Sequence, residues 1–237
     1  MGLDTWREED DWPLPDTQYR NYYLHSAGRA NTRHGNGQLS TVAPGDEPED
    51  VYLYDPRNPV PTVGGATFLP GVHITANAGP RDQRTVELRE DVLCYTTVTL
   101  ERAVEVTGPV TLVLYVAASA IDTDFTAKLV DIYPDGRAEL LTDGILRARY
   151  RNSLAAPEPL EPGKRYELRI DLVATANVFK AGHRIQLDIS SSNFPRFNRN
   201  LNTGEATLGA TKMIKANQTI YHDAERPSAI VLPIIPR

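Results

Sequence analysis

The chain has 237 residues, 41% of them hydrophobic, a formal net charge of −6 and a single cysteine, Cys94. That length and apolar content suffice for one substantial core. The acidic balance argues against nucleic acid as a partner, because binding a phosphate backbone needs a clustered basic footprint. A lone cysteine excludes an internal disulfide framework and leaves a reducing cytosol as the favoured compartment, so a cytoplasmic location is expected. No apolar run approaches the ~20 residues that a bilayer-spanning helix needs, and no membrane partner is expected.

Residues 1–17 are acidic and carry Pro13 and Pro15, which reads as a surface connector without a signal-peptide pattern. A first short strand is expected over 19–24, where Tyr19, Tyr22 and Tyr23 suit a half-buried pleated surface. Residues 26–84 are rich in Gly, Pro, Asn and Asp, with brief strands predicted only at 38–42 and 51–54. So long and weakly periodic a stretch drapes over a scaffold or reaches toward a neighbour. Short β-branched segments follow at 85–88, 92–100 and 104–106, then the strongest strands at 110–118 and 125–133. In Tyr133-Pro134-Asp135-Gly136 the proline fixes φ at one turn position and the glycine tolerates positive φ beside it. Further strands are predicted at 145–150, 166–173, 184–190 and 229–235, with one weak helix at 206–216.

Leu168, Ile170 and Leu172 alternate with Arg169 and Asp171, and Ile185, Leu187 and Ile189 alternate with Gln186 and Asp188. Period two marks strands with one buried and one solvated face. Residues 111–117 are apolar nearly throughout, which predicts cover on both faces. Many short strands with Gly/Pro punctuation make the fold all-β, a sandwich of jelly-roll or related Greek-key type.

Signals for chemistry are sparse. A nucleophile elbow needs Gly-x-Ser-x-Gly; the nearest frame, Leu24-His25-Ser26-Ala27-Gly28, has Leu where the first Gly must be. The five histidines occur singly, without ligand spacing, so no metal or other cofactor is expected. Cys94, between Leu93 and Tyr95, reads as a buried strand thiol. Four constellations stay open. Asp122-Thr123-Asp124 with Asp131 is a calcium loop or a strand corner capped by carboxylates. Arg147, Arg149 and Arg151, read as one strand face, grip an anion or pair with neighbouring carboxylates. Ser190-Ser191-Ser192-Asn193-Phe194-Pro195 is a functional loop or a satisfied buried turn. After Gly64-Gly65, the apolar Phe68 and Leu69 fill the domain's own core or a partner's pocket.

The run from Asp122 through Asp131-Ile132-Tyr133-Pro134-Asp135-Gly136-Arg137 resembles the C-terminal domain of the cocaine-esterase and X-prolyl dipeptidyl-peptidase family. So do Asp143-Gly144-Ile145, Gly182-His183-Arg184-Ile185 and, most distinctively, Ser190-Ser191-Ser192-Asn193-Phe194-Pro195 with Arg199-Asn200-Leu201-Asn202-Thr203-Gly204. The resemblance implies a jelly-roll-like (galactose-binding-like) β-sandwich over 18–237, joined by the 1–17 connector to an upstream catalytic domain. It implies partners in an α/β-hydrolase domain and a helical cap, together with self-association. It implies that the Ser-His-Asp triad lies upstream, so that this chain carries no catalytic residue, and that Phe68 and Leu69 line the acyl side of the cleft. The parent enzyme would cleave ester or amide bonds. The reading from another class is a free-standing carbohydrate- or ligand-binding jelly roll. Against it, the only two tryptophans, Trp6 and Trp12, fall in the connector.

Overall fold

A computed structural model describes residues 1–67, 78–205 and 209–236. Eleven strands run in chain order among them: β1 (Gln18–His25), β2 (Gln38–Ser40), β3 (Asp50–Tyr54), β4 (Leu93–Thr96), β5 (Val104–Ala118), β6 (Asp124–Ile132), β7 (Ala138–Arg147), β8 (Tyr166–Phe179), β9 (Arg184–Ser190), β10 (Ala216–Tyr221) and β11 (Ala229–Ile235). No α-helix occurs among the described residues; the one short helical turn is of 3-10 type at Ala148–Tyr150. The chain is all-β, as its punctuation and periodicity require.

The strands hydrogen-bond in the order β3-β10-β5-β11-β1-β2-β4-β9-β6-β7, with β8 paired to β5. β2 meets β4 at one parallel residue pair, Gln38 with Thr96, whereas most other neighbours are antiparallel over several residues. That link divides the path into two leaves. Their inner faces enclose one core: Leu24, Leu112, Leu114, Ile220, Ile230 and Leu232 from one leaf, and Leu93, Phe125, Leu129, Ile185, Leu187 and Ile189 from the other. The result is a β-sandwich.

β7 and β8 approach so closely that Gly144 admits no side chain. A Cβ there would lie 2.1 Å from the Asp171 carbonyl oxygen, and the Thr142 hydroxyl donates to the Leu172 carbonyl.

Several expected boundaries move. Residues 85–88 form turns, and β4 stops at Thr96 because residues 97–100 leave β2 and follow the start of β9. The segments at 104–106 and 110–118 are one strand, running through Gly108-Pro109 with a register irregularity there. β7 begins at Ala138, earlier than expected, and ends at Arg147, so Arg147, Arg149 and Arg151 do not share a strand face. The helix expected at 206–216 is overturned where described: 209–215 is irregular and Ala216 opens β10. β10 escaped the reading because Asn217, Gln218 and Thr219 interrupt its apolar pattern.

Burial corrects two further expectations. On β5, Thr111, Val113 and Tyr115 are only half-buried, so one face is partly open. On β9, Gln186 and Asp188 are buried, although alternation assigned them to solvent. β6 is buried at every position. The reason lies in the polar segments 55–67 and 78–92, whose Val60, Val86 and Val92 form a second small core with Cys94 on the outer face of that leaf. These segments drape over the scaffold. Leu187→Ala, which opens a cavity between the leaves, is expected to cost about 2–5 kcal/mol in urea titrations. Val42→Ala, at a position 70% exposed, should stay within about 0.5 kcal/mol.

Candidate functional site

The outer face of β4, β9, β6 and β7 carries a row of polar side chains beneath the draped stretch. Register sets Cys94 opposite Asp188, Asp188 opposite Lys128, and Lys128 opposite Asp143. All four are buried. The Lys128 ammonium donates to the Gln83 Oε1 at 2.9 Å. The Gln186 amide donates to both Glu87 Oε1 (2.8 Å) and Asp188 Oδ1 (2.9 Å), and the Thr96 hydroxyl donates to the Gln186 oxygen.

Charge burial in this layer has an electrostatic consequence. Desolvation, reinforced by Asp188, pushes the Glu87 carboxyl up to about 8, against the pull of Arg33 at 3.8 Å. Desolvation lifts Asp188 to about 6, opposed by Lys128. Burial also lowers the Lys128 ammonium and raises the Cys94 thiol far from the thiolate form that nucleophilic chemistry needs.

The same face continues to the root of the Gly-Gly loop. Gly65 and Gly79 exchange backbone hydrogen bonds (2.8 and 3.0 Å), closing the segment between them at its base. Both glycines and Gly64 have positive φ, and a Cβ on Gly64 would lie 2.5 Å from the Gly79 carbonyl oxygen. Beneath this base the Arg196 guanidinium pairs with Asp143 Oδ1 at 3.0 Å, and the Asn193 amide donates to Asp143 Oδ2 at 2.9 Å. Phe68 and Leu69 lie outside the described residues.

The other constellations resolve into structure. The Arg147 guanidinium donates to Asp124 (2.9 and 3.2 Å), Arg149 approaches Asp122 at 3.5 Å, and the Asn200 amide donates to both aspartates (2.9 and 2.7 Å). The acidic cluster and the arginines therefore neutralise each other, which leaves no oxygen cage for calcium at this corner. In the serine run, Ser190, Ser191, Ser192 and Asn193 are all buried. Ser192 Oγ accepts from the Val60 N–H, Ser191 Oγ meets the Tyr52 hydroxyl, and Ser190 Oγ meets Thr126. Most of the run is a satisfied turn, and Phe194 at its end is 37% exposed.

Sequence reasoning missed one cluster. Ser26, His222 and Asp50, separated by up to 196 residues, meet in the interior, so spacing offered no signal. Their geometry differs from a catalytic triad, in which the serine hydroxyl donates to the imidazole. Here His222 Nε2 faces both Asp50 Oδ2 (2.9 Å) and Ser26 Oγ (3.2 Å), and its Nδ1 stands 3.5 Å from Glu47 Oε2. The Ser26 hydroxyl donates to Asp50 at 2.7 Å and accepts the Gly28 N–H at 2.9 Å. Burial works to raise Asp50, yet hydrogen bonds from His222, the Ala30 N–H, Ser26 and Tyr95 hold it below the usual carboxylate range. The cluster fixes an ionised carboxylate between β1, β3 and β4. Among the described residues, no three His, Cys, Asp or Glu side chains are placed to hold a metal ion.

Comparison with known proteins gives one family match. The family model described as the X-Pro dipeptidyl-peptidase C-terminal non-catalytic domain matches residues 1–231. The chain is 54% identical to the cocaine esterase of Rhodococcus sp. (strain MB1 Bresler) over 239 aligned positions, covering all of this chain and 41% of that protein. Its structure is similar to that of an aminopeptidase from the marine sediment archaeon Thaumarchaeota archaeon, with TM-score 0.88 and 31% identity, covering 99% of this chain and 39% of that one. An α-amino acid ester hydrolase gives TM-score 0.82 and 29% identity over 97% of this chain and 38% of that one. The chain thus spans about two-fifths of the relatives it matches.

Two outcomes test the site. The Glu87 carboxyl gains affinity for its proton on folding, from 4.5 to about 8, so the stability it supports is full below the lower value and is lost as pH rises through the upper one. The melting temperature should therefore fall between pH 6 and pH 8, and Glu87→Gln should shrink that difference. Asp124→Ala removes the acceptor for Arg147 and Asn200 and should cost about 3 kcal/mol, read by urea titration, while added calcium leaves the wild-type melting temperature unchanged.

Proposed function

Because the chain belongs to the family of X-Pro dipeptidyl-peptidase C-terminal non-catalytic domains, we propose that it serves a longer serine hydrolase as an accessory β-sandwich of jelly-roll type. Residues 1–17 are the connector to the α/β-hydrolase domain, and the sandwich packs on that domain and on a helical cap. Phe68 and Leu69 line the acyl side of the substrate cleft. The parent cleaves ester or amide bonds through a serine acyl-enzyme supported by an oxyanion hole, in a cytoplasmic setting. The observation that carries this reading is the 54% identity to cocaine esterase, which runs the full length of this chain. The closed base at Gly65 and Gly79, braced by Asp143 and Arg196, supports a defined root for the segment that carries them. The Ser26–His222–Asp50 geometry supports a chain that does no acyl chemistry itself.

The test is p-nitrophenyl ester hydrolysis by the purified chain, alone and mixed with a fragment carrying the α/β-hydrolase and cap domains. The chain alone should be silent, and mixing should restore turnover. Phe68→Ala/Leu69→Ala should lower the restored kcat/KM at least about tenfold while the fragments still associate, since losing a tenfold rate corresponds to about 1.4 kcal/mol of transition-state binding. Turnover by the chain alone, titratable with a serine-directed phosphonate, would overturn the reading.

A further inference from the structure

The two leaves of the sandwich part where β2 and β4 end their single shared pair. Beyond Gln38 and Thr96, β2 runs on toward Thr41, while Thr97 and Leu100 turn away, their backbone N–H groups donating to the Ile185 and His183 carbonyls at the start of β9 (2.9 Å each). The divergence opens a groove of about 510 Å³. One side is apolar, made by Tyr22, Leu39 and Leu100, all packed on the main core. Arg33 and Arg184 line it as well.

These two cations are poorly answered by the protein. Arg184 is half-buried and makes no ion pair or side-chain hydrogen bond among the described residues. Arg33 reaches the Gly136 carbonyl only at 3.5 Å and Glu87 only at 3.8 Å, and Glu87 tends to keep its proton. A chain of net charge −6 thus lines one recess with two under-bonded arginines. A carboxylate satisfies a guanidinium's planar fork with two parallel hydrogen bonds. The apolar wall selects further, because it rewards a ligand that brings a hydrocarbon body with its charge.

We propose that this groove is a binding site for small amphiphilic carboxylates, with the carboxylate between Arg33 and Arg184 and the apolar body against Tyr22 and Leu100. Nothing in the site assigns it a role in bond cleavage. Its place between the diverging ends of β2 and β4 separates it from the Gly64-Gly65 loop base, which stands on β7 and the turn after β9.

The test is an amide NMR titration of the isotope-labelled chain with sodium benzoate, sodium octanoate, inorganic phosphate and benzyl alcohol. Benzoate and octanoate should give saturable shifts at Tyr22, Leu100 and Arg184, with affinities at least tenfold above those of phosphate and benzyl alcohol. Arg184→Gln should weaken benzoate binding at least tenfold with an unchanged melting temperature, since its side chain holds no internal bond. The proposal fails if benzoate and octanoate give no saturable shifts or shift residues elsewhere. It fails equally if phosphate binds as well as benzoate, which would mark a plain anion site, or if Arg184→Gln leaves benzoate affinity intact.

Discussion

Lys128 stands on the outer face of β6 with Asp188 on one neighbouring strand and Asp143 on the other, and all three are buried beneath the segments 55–67 and 78–92. An unpaired charge in such a place would cost several kcal/mol. The layer survives because ammonium, guanidinium and carboxylate alternate across it and because Gln83, Gln186 and Asn193 add hydrogen bonds to Lys128, Glu87, Asp188 and Asp143. The draped stretch can dock only on a face whose charges answer one another. In turn, the root of the Gly-Gly loop rests on the same face through Asp143 and Arg196.

The arrangement gives this leaf two cores of different character. Inside, Phe125, Leu129, Leu187 and Ile189 pack as hydrocarbon. Outside, a small set of valines with Cys94 sits beside the charged row. Apolar packing tolerates sliding, whereas directional bonds between buried charges do not. The outer layer therefore fixes where the irregular chain runs, a task that hydrocarbon contacts alone perform poorly.

Much of the fold was legible in the residues, and the limits have physical causes. Alternation at Leu168, Ile170 and Leu172 names the inner face of β8 correctly, since nothing covers Arg169 or Asp171 on the other side. The same pattern misplaces Gln186 and Asp188, because a periodicity of two records polarity and not exposure, and a polar face can be buried when its partners arrive from 99 residues away. Asp122 and Asp124 stood open between calcium ligands and a capped corner, and Arg147 and Arg149 between an anion grip and ion pairs, until proximity in space joined them. The meeting of Ser26, Asp50 and His222 gave no signal, for they lie in three separate regions of sequence. The family relationship was legible in the runs around Asp131 and Ser190. The lining residues it suggests, Phe68 and Leu69, fall outside the described residues.

The pairing of Gln18 with Ile234 brings the entry and exit of the sandwich to the same end of two adjacent antiparallel strands. A pull applied at these two points meets the β1–β11 ladder end-on, so its hydrogen bonds bear load one after another instead of together. Under tension the sandwich would open along this ladder, with β2 still paired to β1 on one side and β5 to β8 on the other. In mechanical terms it is a soft element, one that yields at its own seam before passing strain to whatever is attached to it.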